Sequence, residues 1–181
     1  MHRLRRDLTA VVVVDIQKRL MDIVCRRDKV IGSLVRLLEA AKRLEVTVLA
    51  TEQNRKVFGP TIDAVRERLP EEAEDKLVFS AFGCKTVRQR MEERGLKQVL
   101  LTGIMSNVCV LQSGLDALEH GLDVHVVEDA VTAADEDDHR IGIDRLRQAG
   151  AVITNTETAI YEFLERAGTD EFRACLPLLR R

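Results

Sequence analysis

Asp15 and Cys109 are the residues of this sequence at which reactive chemistry and position in the chain coincide. Asp15 directly follows the aliphatic run Ala10–Val14. A strand built on that run leaves the carboxylate at its carboxyl end, outside the sheet; a helix cap or a turn residue is the plainer use of such a position. Cys109 lies in TGIMSNVCV (Thr102–Val110), just after the aliphatic run Gln98–Thr102 and near the start of a helical stretch. The amino end of a helix carries partial positive charge and unpaired N–H groups. Both favour a thiolate, and the same N–H groups suit the oxyanion of an acyl transfer. The plainer use of a lone cysteine is a small core side chain. Lys76, in AEDKLVFSAFG, is ambiguous. If Leu77–Phe79 is a strand, Lys76 sits at its amino end and periodicity makes it a surface charge; it faces the same way as Asp15 only if the strand ends earlier, near Lys76.

The elements that must position these residues follow from two alternating periodicities. Aliphatic, β-branched runs occur at Ala10–Val14, Val46–Ala50, Leu77–Phe79, Gln98–Thr102, Asp123–Val127 and Ala151–Thr154. A run such as VVVV has no polar face, which suits a strand covered by helices on both sides. Between the runs lie helical stretches. Lys29–Leu44 places Val30, Leu34, Leu37, Leu38 and Ala41 on one stripe. Thr61–Leu69 is bracketed by Pro60 and Pro70. Thr86–Arg94, Val108–His120, Asp138–Ala149 and Thr156–Ala167 each end at a glycine, the residue that best takes a left-handed cap. A short amphipathic segment runs from Thr169 to Leu176. This alternation predicts a single α/β domain over residues 1–181, with a doubly wound, six-stranded, mainly parallel sheet and helices on both faces. If the strand order is 3-2-1-4-5-6, a crevice opens at the carboxyl ends of strands 1 and 4, where Asp15 and Cys109 fall.

Composition and missing motifs narrow the chemistry. With 28 Lys+Arg against 30 Asp+Glu, the net charge of -2 leaves no electrostatic footprint for nucleic acid or an anionic membrane. Aromatic residues are only 3%, with no Trp, which argues against a base-stacking surface. The basic start MHRLRRDL meets Asp15 too soon for a signal-peptide core, and no apolar run is long enough for a membrane span. Cys25, Cys84, Cys109 and Cys175 form no C-x-x-C and no framework of bridges, so the reading is of a cytoplasmic protein with reduced thiols. His2, His120, His125 and His139 make no metal-binding pair, and Asp135–Asp138 reads as a helix-capping run. No G-x-G-x-x-G or P-loop is present, so no cofactor and no metal are expected.

Three segments in order, Asp15 in VVVVDIQ, Lys76 before LVFSAFG and Cys109 in TGIMSNVCV, resemble the Asp–Lys–Cys set of the isochorismatase-like cysteine hydrolases. The similarity continues through TEQNRKVFGPT (Thr51–Thr61), LQSGLDALEHGLDVHVVEDAV and RLRQAGAVITNTETAIYEFL, and so covers nearly the whole chain. The resemblance implies a Rossmann-like three-layer sandwich and makes Lys76 a site residue, which periodicity did not. It implies Cys109 as nucleophile, Asp15 as general base and Lys76 as the group that steadies their charges. It also implies an oxyanion hole of the Met105 and Cys109 backbone N–H groups, and a cis peptide at Ile104–Met105. The chemistry is sound on its own terms: an ammonium keeps the carboxylate ionised and lowers the thiol pKa, so the pair stands in for a histidine.

The implied activity is hydrolysis of a small amide or related C–N bond through a thioester-type intermediate, in a homo-oligomer. The cysteine argues against isochorismate itself as substrate. Ser106–Asn107 stands where many members have Thr-His or Thr-Asp, and the region after the second strand lacks the Asp/His metal cluster of the nicotinamidase branch. Gln17, Gln53, Phe79, Phe82 and Asn107 are the candidates to line the substrate pocket. The competing reading is a catalytically idle scaffold that keeps the fold for assembly. A phosphoacceptor receiver domain or a D-x-D phosphatase is disfavoured because Ile16–Gln17 follows Asp15.

Overall fold

The computed structural model describes residues 3–179; His2 and the rest of the extreme termini lie outside the described residues. Six strands, β1 (Thr9–Val14), β2 (Thr47–Gln53), β3 (Glu74–Lys76), β4 (Gln98–Ile104), β5 (Asp123–Thr132) and β6 (Val152–Thr154), form one sheet in the order β3-β2-β1-β4-β5-β6. Every pairing is parallel. The connecting helices are α1 (Lys18–Met21), α2 (Arg27–Arg43), α3 (Arg55–Phe58), α4 (Asp63–Arg66), α5 (Lys85–Glu93), α6 (Cys109–Glu119), α7 (Glu136–Ala149), α8 (Thr156–Leu164) and α9 (Asp170–Leu179). This is the expected strand order, and the chain reverses its direction of winding between β1 and β4.

The central strands are buried throughout, as runs without a polar face require. Period-two alternation divides β1 between two cores. Val11 and Val13 face a core with Leu34, Leu37 and Leu38 of α2 and Ile160 and Phe163 of α8. Ala10, Val12 and Val14 face the other, with Met91 of α5, Val110 and Leu111 of α6 and Leu146 of α7. Cys175 and Leu179 of α9 join the first core, where this helix packs with α2 and α8. At the ends of α5, α6 and α7, Gly95, Gly121 and Gly150 take positive φ, as expected of the stops, but α8 ends earlier than expected, at Leu164, capped by Glu165 at φ 62, and Gly168 falls in the turn before α9. Asp135 caps α7 by accepting from the Asp138 N–H at 2.8 Å, which gives the acidic run its structural use.

One strand falls elsewhere than expected. Leu77–Phe79 is not a strand; the third strand is Glu74–Lys76, and Leu77, Val78 and Phe79 are 77%, 50% and 51% exposed beyond it. The apolar triplet carried the strand periodicity, but β3 is a short edge strand that pairs only with Thr51–Gln53 of β2. An edge strand needs no apolar run, so pattern misplaced it by three residues. The shift resolves the ambiguity of Lys76, which now closes β3 at its carboxyl end.

Gly103 marks where β1 and β4 come closest. It takes φ +105, and a Cβ there would lie 2.0 Å from the Val14 carbonyl oxygen. The next residue, Asp15, takes φ 55, a left-handed conformation that costs a non-glycine residue about 1–3 kcal/mol. Gly103→Ala is therefore expected to cost about 3 kcal/mol or more in urea unfolding, from overpacking and backbone strain together. Gly121→Ala, with positive φ but open space around it, should lose only about 1–2 kcal/mol.

Candidate active site

The carboxyl ends of β1, β2 and β3 deliver one buried polar constellation. Asp15 leaves β1 fully buried, and Lys76 leaves β3 with only 4% exposure. Lys76 Nζ donates to Asp15 Oδ2 at 2.7 Å. The intervening strand β2 bridges them: Thr51 Oγ1 donates to Asp15 Oδ1 at 2.8 Å, and Gln53 Oε1 accepts from Lys76 Nζ at 2.7 Å. The carbonyls of Val78 and Phe79 complete the ammonium's acceptors at 3.2 and 2.9 Å. Lys76 is thus held from the strand before it and the loop after it, and has no freedom to swing out.

Cys109 arrives from the other side of the crevice, as the first residue of α6. Its thiol lies beside the Asp15 carboxylate and the Met105 backbone N–H, near enough for both to act on its titration. The Ile104–Met105 peptide is cis, as the resemblance implied. A second tie joins the helix to the chain beyond Lys76: Ser113 Oγ donates to the Cys109 carbonyl at 2.6 Å and accepts from the Ala81 N–H at 2.8 Å. The structure therefore brings Asp15, Lys76 and Cys109 together across 94 residues of sequence, from Asp15 to Cys109.

The electrostatics differ from the expectation of a ready thiolate. Burial pushes the Asp15 carboxyl above the ordinary carboxylate range, although Lys76, Thr51 and Cys109 pull the other way. The Cys109 thiol is pushed up to about 12, first by burial and then by the Asp15 charge, with Lys76 opposing only in part. The helix end and the lysine do not outweigh the loss of water. The resting cysteine is a thiol, and its neighbour is a carboxylate more basic than usual. Such a pair can pass a proton from sulfur to carboxylate when an electrophile arrives.

The expected pocket residues divide. Gln53 holds Lys76, and Phe79 stands exposed on the loop beside it. Asn107 is half-buried, two residues before Cys109 in sequence, with a buried Oδ1 that lacks a hydrogen-bond partner. Gln17 and Phe82 are different. Gln17 is fully buried, and its amide bridges backbone: Nε2 donates to the carbonyls of Gln53 and Gly59, and Oε1 accepts from the Gln53 N–H. Phe82 is a core residue whose ring lies 6.5 Å from that of His120. His120 is eleven residues along α6 from Cys109, about 16 Å at 1.5 Å per residue. Gln17 therefore braces the site, and Phe82 is buried in the same core cluster as Cys109. Thr51 was not picked out from sequence, though parallel pairing of the first two strands places it opposite Val14, next to Asp15.

An isochorismatase domain model matches residues 9–158. A Phytophthora sojae protein named secreted isochorismatase effector Isc1 is 34% identical over 185 residues, covering 98% of this chain and 87% of its own. The solved structure of the MAR1 ribonuclease from Caenorhabditis elegans superposes with a TM-score of 0.91 at 31% identity, covering 98% of this chain and 92% of that one. The Escherichia coli YcaC gene product, described as an octameric hydrolase of unknown specificity, superposes at 0.90 with 26% identity, over 98% and 88% of the two chains.

The raised thiol sets an expected pH profile. With the Cys109 thiol pushed up to about 12 from the ordinary 9.0, the free thiolate is scarce at pH 8. Labelling of Cys109 by iodoacetamide, followed by peptide mapping, should keep climbing past pH 10 instead of levelling near 9. Because the Asp15 charge raises the thiol pKa, Asp15→Asn should shift that climb to lower pH.

Proposed function

The chain belongs to the isochorismatase family, and from that premise we propose that it hydrolyses a small amide or related C–N bond by covalent catalysis at Cys109. The observation that carries this reading is the Asp15 carboxylate held between the Lys76 ammonium at 2.7 Å and the Cys109 thiol. Cys109 Sγ attacks the substrate carbonyl carbon while its proton passes to Asp15. The carbonyl oxygen becomes an oxyanion and is received by the Met105 and Cys109 backbone N–H groups. As the tetrahedral adduct collapses, the C–N bond breaks and Asp15 returns the proton to the departing nitrogen. Water, deprotonated by Asp15, then attacks the thioester; the carboxylic acid leaves and the thiol is restored.

Lys76 does not react in this scheme. It stabilises the ionised form of Asp15 in a water-poor site, where an unpaired carboxylate would not persist. The raised Asp15 pKa suits a base that must take and return a proton. Neither metal nor cofactor is required by these steps, because the side chains carry both nucleophile and proton. Four free thiols, with Cys84, Cys109 and Cys175 buried, fit a cytoplasmic setting. Among the described residues no helix is long and apolar enough to cross a membrane.

We also propose a homo-oligomer. Leu77, Val78 and Phe79 form an exposed apolar run on the loop that holds Lys76. Such runs commonly mark interaction surfaces, and the E. coli YcaC structure is octameric. One consideration favours the idle-scaffold reading: burial pushes the Cys109 thiol up, which leaves it a poor nucleophile unless the Asp15 proton transfer operates. The ribonuclease named for the C. elegans relative is a further possibility for test, although a net charge of -2 gives little attraction for RNA.

Incubation with a panel of small primary amides, with intact-mass detection, should reveal an acyl adduct on Cys109 and release of ammonia for at least one compound. Cys109→Ala should abolish the adduct, and Lys76→Met should lower turnover by about 10³-fold or more. Turnover of RNA with no amide hydrolysis would replace this reading. No adduct and no turnover across the panel would favour the scaffold.

A further inference from the structure

A second polar cluster lies behind the site and takes no part in the chemistry above. His139, in the first half of α7, is 4% exposed. Its Nε2 lies 2.6 Å from Arg26 Nη1 and 3.2 Å from Glu128 Oε1, and Arg26 Nη1 lies 2.8 Å from the same carboxylate oxygen. On the other side of the ring, Nδ1 lies 3.2 Å from Ser106 Oγ. A guanidinium only donates. His139 Nε2 thus faces a donor, Arg26, and an acceptor, Glu128, while in either tautomer Nδ1 shares a hydrogen bond with the Ser106 hydroxyl, which can donate or accept. Glu128 also holds Arg26 in place, with Lys29 Nζ 3.9 Å from its other oxygen. Arg26 itself stands at φ 56, immediately before α2.

Ser106 is fully buried, so its hydroxyl is not open to a substrate. Its place in the chain gives it another use: it follows Met105 directly and precedes Cys109 by three residues. The segment is pinned from behind at several points. The Ser106 N–H donates to the Thr132 carbonyl at 2.8 Å. Gly142, one turn beyond His139 on α7, lets the helix approach so closely that a Cβ there would lie 2.4 Å from the Ser106 carbonyl oxygen. Thr132 and Ala133 are in turn tied to Cys25, next to Arg26, through Thr132 Oγ1 to the Cys25 carbonyl at 2.9 Å and the Cys25 N–H to the Ala133 carbonyl at 3.0 Å.

We propose that His139 is a positioning residue for the oxyanion hole. Arg26 and Glu128 hold the ring at Nε2, its Nδ1 anchors Ser106 Oγ by a hydrogen bond, and the anchored segment aims the Met105 and Cys109 N–H groups at the reacting oxygen. This inference rests on the proposed hydrolase reading, because it presupposes that those N–H groups receive an oxyanion. Hydrogen-bond donors gain their effect from being held in advance at the place where charge develops, and an anchored backbone meets that requirement.

Two thiol reagents separate positioning from mere packing. Acylation of Cys109 by p-nitrophenyl acetate attacks the carbonyl carbon itself, puts negative charge on its oxygen, where the N–H pair acts, and expels p-nitrophenolate. Reaction with methyl methanethiosulfonate transfers a methylthio group to sulfur and expels methanesulfinate, with no charge on a carbonyl. The ratio of the two rates at Cys109, read by peptide mass mapping, reports the oxyanion hole independently of thiolate supply. In the native protein the ratio should exceed that of free glutathione. His139→Leu and Ser106→Ala should each lower it at least tenfold, while His139→Asn, whose amide keeps a hydrogen-bonding group near the Nδ1 position, should retain most of it. Ser106→Ala removes one oxygen and decides the matter alone if His139→Leu does not fold. An elevated native ratio left unchanged by these variants, or both rates falling in parallel, would overturn the role of His139 while leaving the hydrolase reading intact. A native ratio no higher than that of glutathione would overturn both.

Discussion

The site depends on one ion pair, Lys76 with Asp15, taken almost wholly out of water. Removing two charges from solvent costs several kcal/mol per ion, so such a pair persists only with good geometry and further hydrogen bonds. The local fold supplies both. β3 is only three residues long, and its last residue is the lysine. β2 lies between the partners and gives each a side chain, Thr51 to the carboxylate and Gln53 to the ammonium. Gln17 then fastens Gln53 by its backbone N–H and carbonyl. The sheet edge is thus shaped around a charge pair that neither core would tolerate unpaired.

The pair also governs what the cysteine can do. The same burial that tightens the Lys76–Asp15 contact pushes the Cys109 thiol to about 12 and lifts the Asp15 carboxyl. A resting thiol beside a carboxylate of raised basicity is a latent nucleophile, activated as the proton moves. In the proposed chemistry sulfur's proton would go to the end of β1 and the substrate's oxygen to the start of α6, so its two halves would lie on opposite sides of the β1/β4 crevice. Gly103 permits that crevice to close by admitting the Val14 backbone at a distance no side chain could share.

Much of this arrangement was legible in sequence. The buried character of VVVV, the glycine stops and the alternation of elements led to the parallel sheet, and the sheet's switch point drew attention to Asp15 and Cys109. Lys76 was not legible from periodicity, because the apolar Leu77–Phe79 advertises a strand while the real one is the charged Glu-Asp-Lys before it; a resemblance to known hydrolases supplied what pattern withheld. Phe82 looked available and is core, since sequence does not say on which side of a turn an aromatic ring packs. The thiol pKa was misjudged for a physical reason: helix ends and lysines are visible in sequence, but desolvation is a property of the assembled fold. The Arg26–Glu128–His139–Ser106 cluster joins residues up to 113 positions apart and leaves no local signature.

The central claim is that Asp15 and Lys76 stand or fall together, and a double-mutant cycle in unfolding free energy tests it most directly. The account predicts that Asp15→Asn and Lys76→Met each cost about 3–5 kcal/mol, because each leaves a buried charge without its partner. The double variant should cost much less than their sum, with a coupling energy of about 2 kcal/mol or more. Additivity within about 0.5 kcal/mol would contradict it, for it would mean that the two groups do not sense each other and that the site is not built on their pairing.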